Sequence, residues 1–235
     1  MEEHPMKEIL RTYKHAPDNL ISSYCVPIIV NGTIRGRLRP ITLSSLHNRA
    51  EIQTLADWRR ASGEWFTTQF PVTEDGTRDW LQHQVIEAED RILFIVEDEE
   101  HTPIGQIGLI HYDENKKECE FDNLLRGKKG RLGNIIIYAL IAIGAWSLRV
   151  LDIQKGYINV LADNFRAIEI YRRLGAQEVR RFQLNKVVEG DAIRWVPSEE
   201  QSNEKPEREM VTMMITREDF FNKTGYNMGA KEGGV

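Results

Sequence analysis

The chain has 235 residues, 41% of them hydrophobic, and a formal charge of -5, which suits one large α/β domain with its own core. The acidic balance argues against nonspecific attraction to nucleic acid or an anionic membrane, although cations can still gather in one loop. Cys25 and Cys119 lie far apart without the spacing of a zinc site or redox dithiol, and His47, His83, His101 and His111 show no metal spacing; reduced thiols, a cytoplasmic location and no metal are expected.

Residues 1–25 are a polar leader. They lack the apolar core of a signal peptide, and Ile9, Leu10 and Tyr13 give them a weak helical period, so their order is left open. A domain over 26–222 follows. Its first element, 26–41, is a β-hairpin at a sheet edge, because Asn31-Gly32 suits a type I′ turn with two positive φ angles. Helical spacing then predicts helices over 43–60 and 73–88, the second with Thr73 as N-cap. Between them lies an aromatic loop, 62–71.

Three β-rich runs at 92–97, 103–111 and 118–125 are separated by short polar turns and predict an antiparallel meander. The longest apolar run, 135–148, belongs to a helix over 132–151; at about 1.5 Å per residue it falls short of the roughly 30 Å of a bilayer core, and reads as a buried core helix. A strand at 157–161, a helix at 164–174 stopped by Gly175, and a strand at 177–188 come next. A polar insertion near 198–208 precedes a last strand at 209–216, and 223–235 form a tail. The order predicts an α/β (α+β) fold with a mixed, largely antiparallel central sheet flanked by helices.

The most informative stretch joins a strand to the apolar helix: Leu124, Leu125, Arg126, Gly127, Lys128, Lys129, Gly130, Arg131, Leu132, Gly133 and Asn134. Three glycines at three-residue spacing let the backbone curl around a ligand, while the helix start and four cations favour an anion such as a pyrophosphate. The stretch lacks the Gly-Lys-Ser/Thr ending of a nucleoside triphosphate loop and the βαβ setting of the dinucleotide fingerprint. On its own it also suits a solvated basic turn.

Together with the later Asn164-Phe165-Arg166-Ala167-Ile168-Glu169-Ile170-Tyr171-Arg172-Arg173-Leu174-Gly175, this arrangement resembles the GNAT superfamily of acyl-CoA-dependent N-acyltransferases. That family carries a basic glycine loop and an Asn-x-x-Ala-Ile-x-x-Tyr-x-x-x-Gly segment, and the likeness runs over residues 38–221. The glycines at 127, 130 and 133 depart from the family's usual loop spacing, which leaves the register of single phosphate contacts open. The resemblance implies a GNAT-like sheet with acetyl-CoA as cosubstrate. Residues 126–134 would hold its pyrophosphate, and backbone groups of Asn123, Leu124 and Leu125 would position the thioester and pantetheine. Asn164 would lie near the CoA chain, and the Tyr171 hydroxyl would protonate the departing thiolate. Read without the resemblance, Asn164 is a helix N-cap and Tyr171 a packing anchor.

An amine must lose a proton to attack, so a carboxylate is sought. Strand alternation puts Glu118, Glu120 and Asp122 on one face with Cys119 and Phe121 on the other. Glu120 and Asp122, nearest the loop, are the candidates; the same pattern also suits a solvated sheet face. Trp65, Phe66 and Gln69 of the aromatic loop are candidates for binding the acceptor.

These readings converge on an N-acetyltransferase acting on a primary amine of a small molecule. A nucleotide-linked amino sugar leads, on a loose resemblance of the Trp58-Arg59-Arg60 segment to family branches with such substrates. The alternatives are a protein N-terminal amine and a noncatalytic acyl-CoA-binding module. Neither nucleic acid nor membrane is expected as a partner, and a homodimer is compatible with the sequence.

Overall fold

The computed structural model describes residues 5–128, 132–198 and 206–226. In chain order these form α1 (Pro5–Lys14), β1 (Val26–Val30), β2 (Thr33–Pro40), α2 (Arg49–Ala61), β3 (Thr68–Gln69), α3 (Glu74–Leu81), β4 (Ile92–Asp98), β5 (Pro103–Asp113) and β6 (Glu118–Arg126). They continue with α4 (Ile135–Val150), β7 (Lys155–Leu161), α5 (Phe165–Arg173), β8 (Gln177–Glu189), β9 (Ala192–Pro197), β10 (Arg208–Thr216) and α6 (Arg217–Thr224). One sheet runs in the order β1-β2-β4-β5-β6-β7-β10-β8-β9-β3. Only the β6–β7 pair is parallel; the other neighbours are antiparallel. This is the mixed, largely antiparallel sheet that the sequence predicts, with the meander in β4, β5 and β6. Asn31 and Gly32 turn the first hairpin at φ 50° and 75°, as a type I′ turn requires.

Helices cover both faces, so β4 and most of β5 form continuous buried runs rather than alternating ones. In β4, Ile92, Phe94 and Val96 pack into the cluster formed with α4, whereas Leu93 and Ile95 join Ile52, Leu55, Trp58 and Leu81 from α2 and α3. The leader lies on the α4 face. Leu10 is buried there, which contributes on the order of 1.5–3 kcal/mol, and the Trp146 indole N–H donates to the Tyr13 hydroxyl at 2.9 Å. No helix among the described residues is long and apolar enough to cross a membrane.

Several local readings change. The helix expected over 43–60 is a 3₁₀ turn, Leu43–His47, followed by α2. Asn48 separates them, its side chain accepting from Glu51 N at 3.2 Å, because an N-cap residue ends one helix direction as it starts the next. The strand expected over 177–188 is one arm of a hairpin, β8–β9, closed by Gly190-Asp191 with Gly190 at φ 60°. Its second arm carries β3 on its outer edge, so the aromatic loop is part of the sheet. Of the polar insertion near 198–208, residues 199–205 lie outside the described residues, as do 227–235 of the tail. After β10 the chain forms α6, begun by a Thr216 cap that accepts from Asp219 N at 3.1 Å.

Candidate active site

The site is built where two neighbouring strands part. Pairing of β6 with β7 stops at Glu120↔Tyr157, yet β6 runs on to Arg126 and β7 to Leu161. From Phe121 onward the edge of β6 has no strand partner on that side among the described residues, and its backbone groups are open to a guest. On its other side β6 stays paired with β5, but the register slips between Gln106 and Gly108, and Asn123 has φ 53°. A β-bulge therefore sits at Asn123. It reverses the alternation: Cys119 and Phe121 belong to the α4-side cluster, and beyond the bulge Leu124 takes that side while Leu125 turns to the α2–α3 cluster.

The basic loop leaves β6 here. Gly127 and Lys128 both donate their N–H groups to Ile104 O, at 2.9 and 3.0 Å, so these two amides extend the sheet and are turned from the loop's interior. A Cβ on Gly127 would overlap the indole of Trp58, so packing on α2 accounts for this glycine. Lys129, Gly130 and Arg131 lie outside the described residues. Leu132, Gly133 and Asn134 lead into α4, where Asn134 makes no side-chain cap; a Cβ on Gly133 would have open space. At this helix start Ile135 N–H donates to Leu132 O and Ile137 N–H to Asn134 O; the positive end of the helix dipole still favours an anion, with Arg126 and Lys128 at the preceding strand end.

On the α2–α3 face a cavity of about 410 Å³ opens under the aromatic loop. Phe66, Phe70, Trp80, Leu55 and Val72 supply its apolar walls, and Asp122, Asn123 and Gln106 reach it from the sheet. Gln106 Nε2 donates to Asn123 Oδ1 at 3.4 Å, and Asn123 Nδ2 donates to Asp122 Oδ2 at 2.5 Å. Arg59 enters from α2, its guanidinium 3.3 Å from the centre of the Phe66 ring and donating to Thr68 O at 2.7 Å. Of the three loop residues predicted to bind the acceptor, Phe66 lines this cavity. Gln69 faces a separate outer groove beside Arg60 and Pro71, because the β3–β9 pairing fixes its side. Trp65 is 43% exposed and outside both linings.

Asp122 and Glu120 share the cavity face of β6. Burial, more than any other cause, pushes the Glu120 carboxyl above the ordinary carboxylate range; Asp122 adds to this, while hydrogen bonds from Asn159 and His111 oppose it. His111 Nδ1 stands 3.3 Å from Glu120 Oε2 and is mostly exposed, so it leads from the carboxylate to solvent. Glu118 is instead held by Lys155 at 3.1 Å. Tyr171, on the inner side of α5, is 6% exposed; burial raises its phenol well above the ordinary value, and Asp122 raises it further. The tyrosine packs with the α4-side cluster, and Asp122, on the opposite face of β6, lines the cavity. Asn164 caps α5, its Oδ1 accepting from Ala167 N at 3.2 Å, which leaves the amide nitrogen for other use.

Sequence reasoning named Arg59 only as part of the Trp58-Arg59-Arg60 segment and gave Gln106, Phe70 and Trp80 no site role. A WRR segment at a helix end carries no signal that one arginine will turn inward. Gln106, inside an apolar strand, was the detectable one, since a polar residue within a two-sided buried strand requires a partner.

The acetyltransferase (GNAT) domain family matches residues 35–177. No curated protein matches the sequence. Among solved structures, spermidine N-acetyltransferase from Vibrio cholerae in complex with CoA and spermine superposes with a TM-score of 0.59 at 17% identity, over 80% of this chain and 99% of that one. A dodecameric structure of spermidine N-acetyltransferase from Vibrio cholerae in an intermediate state gives 0.57 at 15% identity, over 81% and 98%. Both share the fold. GNAT enzymes use acetyl-CoA, and the match over more than half of the chain establishes that this protein belongs to the GNAT acetyltransferase family.

Proposed function

We propose that the protein acetylates a primary amine of a small molecule, with its donor and acceptor sites meeting at the point where β6 parts from β7. The observation that carries this reading is the position of Asp122, which lines the acceptor cavity on a strand whose other face packs into the cluster that holds Tyr171, near enough for its charge to raise the phenol. A carboxylate and a phenol on opposite sides of one opening are the acid–base pair that acyl transfer to an amine needs.

The open edge of β6 at Asn123, Leu124 and Leu125 suits the pantetheine arm of acetyl-CoA, and Arg126 to Asn134 suit its diphosphate. Acetyl-CoA supplies an acetyl group activated as a thioester. Asp122 or Glu120 takes the proton from the amine, directly or through water. Burial raises the proton affinity of Glu120, which strengthens it as a base, and His111 offers it a way to release the proton. Tyr171, a phenol protonated at neutral pH even at its ordinary value and raised further by burial, donates to the sulfur as it leaves. Asn164 lies about two turns before Tyr171, at the start of the same helix α5, where its amide can support the CoA chain.

For the acceptor, a nucleotide-linked amino sugar remains the leading reading, supported by aromatic walls at Phe66, Phe70 and Trp80 that suit stacking on a ring. A polyamine is the second reading, suggested by the spermidine N-acetyltransferases that share the fold. The test is thiol release from acetyl-CoA across amino sugars and their nucleotide conjugates, polyamines, amino acids and peptides. Turnover confined to one of the small-amine groups supports the reading; turnover of peptides alone, or of nothing, overturns it.

A further inference from the structure

Arg59 is the unexplained charge of the acceptor cavity. Its guanidinium is stacked between Phe66, at 3.3 Å from the ring centre, and Phe70, at 5.5 Å. Among the described residues its one hydrogen bond goes to the carbonyl oxygen of Thr68. A guanidinium has five N–H donors, so most of them are unused here. Burial pulls this group down to about 10, with Asp122 opposing the shift; it remains charged at neutral pH. A partly desolvated cation without an ion partner is costly, and such costs persist where a ligand relieves them.

The rest of the lining has the same sign. Arg91 is also on the cavity wall, and among the described residues it forms no ion pair or side-chain hydrogen bond. Asp122 is the one carboxylate among the lining residues, against the two arginines. A polycation could place one ammonium at Asp122, but its other charges would then meet Arg59 and Arg91. An amine that also bears an anion would satisfy both ends of the cavity.

Resting on the function proposed above, we infer that the acceptor is an amine carrying a carboxylate or phosphate group, and that Arg59 pairs with that anion while the amine sits at Asp122. Phe66 keeps the guanidinium plane fixed, so the fork meets a planar or tetrahedral oxyanion through two donors. A charge-assisted pair of about 1.5–3 kcal/mol corresponds to roughly a 10- to 150-fold preference.

The experiment uses the full chain and matched acceptors: glucosamine 6-phosphate against glucosamine, tyrosine against tyramine, and spermidine as the polycation. The two pairs separate phosphate from carboxylate. At least tenfold higher kcat/KM for the anionic member of one pair is expected, with that ratio collapsing toward one in Arg59→Gln and partly retained in Arg59→Lys. Equal or better use of the members without the phosphate or carboxylate, or of spermidine, overturns the inference, as does a ratio that survives Arg59→Gln. Should Arg59→Gln fail to fold by its melting curve, the wild-type ratio and Arg59→Lys decide. Calorimetry with N-acetylglucosamine 6-phosphate and N-acetylglucosamine in the presence of CoA gives a second readout. If no amine is turned over, the proposed function fails while Arg59-dependent binding of the anionic sugar alone still upholds this inference; equal or absent binding of the two sugars then sinks it.

Discussion

The indole of Trp58 occupies the space that a side chain on Gly127 would need. Trp58 is 5% exposed and belongs to the α2–α3 cluster, so the start of the basic loop is fixed by core packing rather than by any guest. The next residue along α2, Arg59, reaches into the cavity under the aromatic loop. One helix turn thus sets both where the loop leaves the sheet and where a cation enters that cavity.

Gly127→Ala is therefore expected to cost on the order of 1–3 kcal/mol through overpacking. At about 2–4 °C per kcal/mol for a chain of this size, the melting temperature should fall by several degrees. Thermal unfolding of the variant checks this; an unchanged melting temperature would show that the loop is free to move off Trp58.

Docking of the leader rests on Tyr13. Its hydroxyl accepts from the Trp146 indole N–H, and its ring makes edge contacts with Tyr24, Phe94 and Trp146. Tyr13→Phe leaves the buried indole donor without its acceptor and is expected to lower stability by about 1–3 kcal/mol. Urea midpoints read the difference.

Glu120 makes a prediction about pH with a definite sign. Burial raises its carboxyl above the ordinary value, so the folded chain binds this proton more tightly than the unfolded one. Stability supplied by the group is present below the unfolded value and is lost as pH rises through the folded one. Glu120→Gln should abolish that loss, seen as a smaller fall in urea midpoint between about pH 4 and pH 7. If Glu120 is the base, the acid limb of kcat/KM lies above the ordinary carboxylate range and disappears in the same variant; a persisting limb assigns the role to Asp122.

Tyr171→Phe keeps the ring in its buried place and removes only the proton donor. A loss of about 10²- to 10⁴-fold in kcat is expected, with CoA affinity within a few-fold of the original. Steady-state thiol release and calorimetry separate the two quantities, and a variant with full turnover removes Tyr171 from the chemistry.

Much of the fold was legible because its signals are local. Asn31-Gly32 demands positive φ at two successive positions, Gly175 adopts φ 103° after α5, and the apolar run of α4 has no other place than the core. The hairpin of β8 and β9 was missed although Gly190-Asp191 is a hairpin dipeptide, since β8 is mostly exposed and offers little apolar period to count. The pairing of β3 with β9 joins residues more than a hundred positions apart, which no local pattern records. At the site, alternation placed Glu120 and Asp122 on one face correctly, but the bulge at Asn123 reverses the count beyond it. Arg59 was invisible for another reason: whether an arginine at a helix end turns inward depends on Phe66 and Phe70 being brought over it by the loop.

The claim on which all of this depends is that acetyl-CoA seats itself in the opening between β6 and β7. Titration of the purified protein with acetyl-CoA in a calorimeter tests it most directly. One molecule bound per chain, with a dissociation constant in the range of about 1 μM to 1 mM common for enzyme substrates, is the expected result; a flat trace across that range would contradict it.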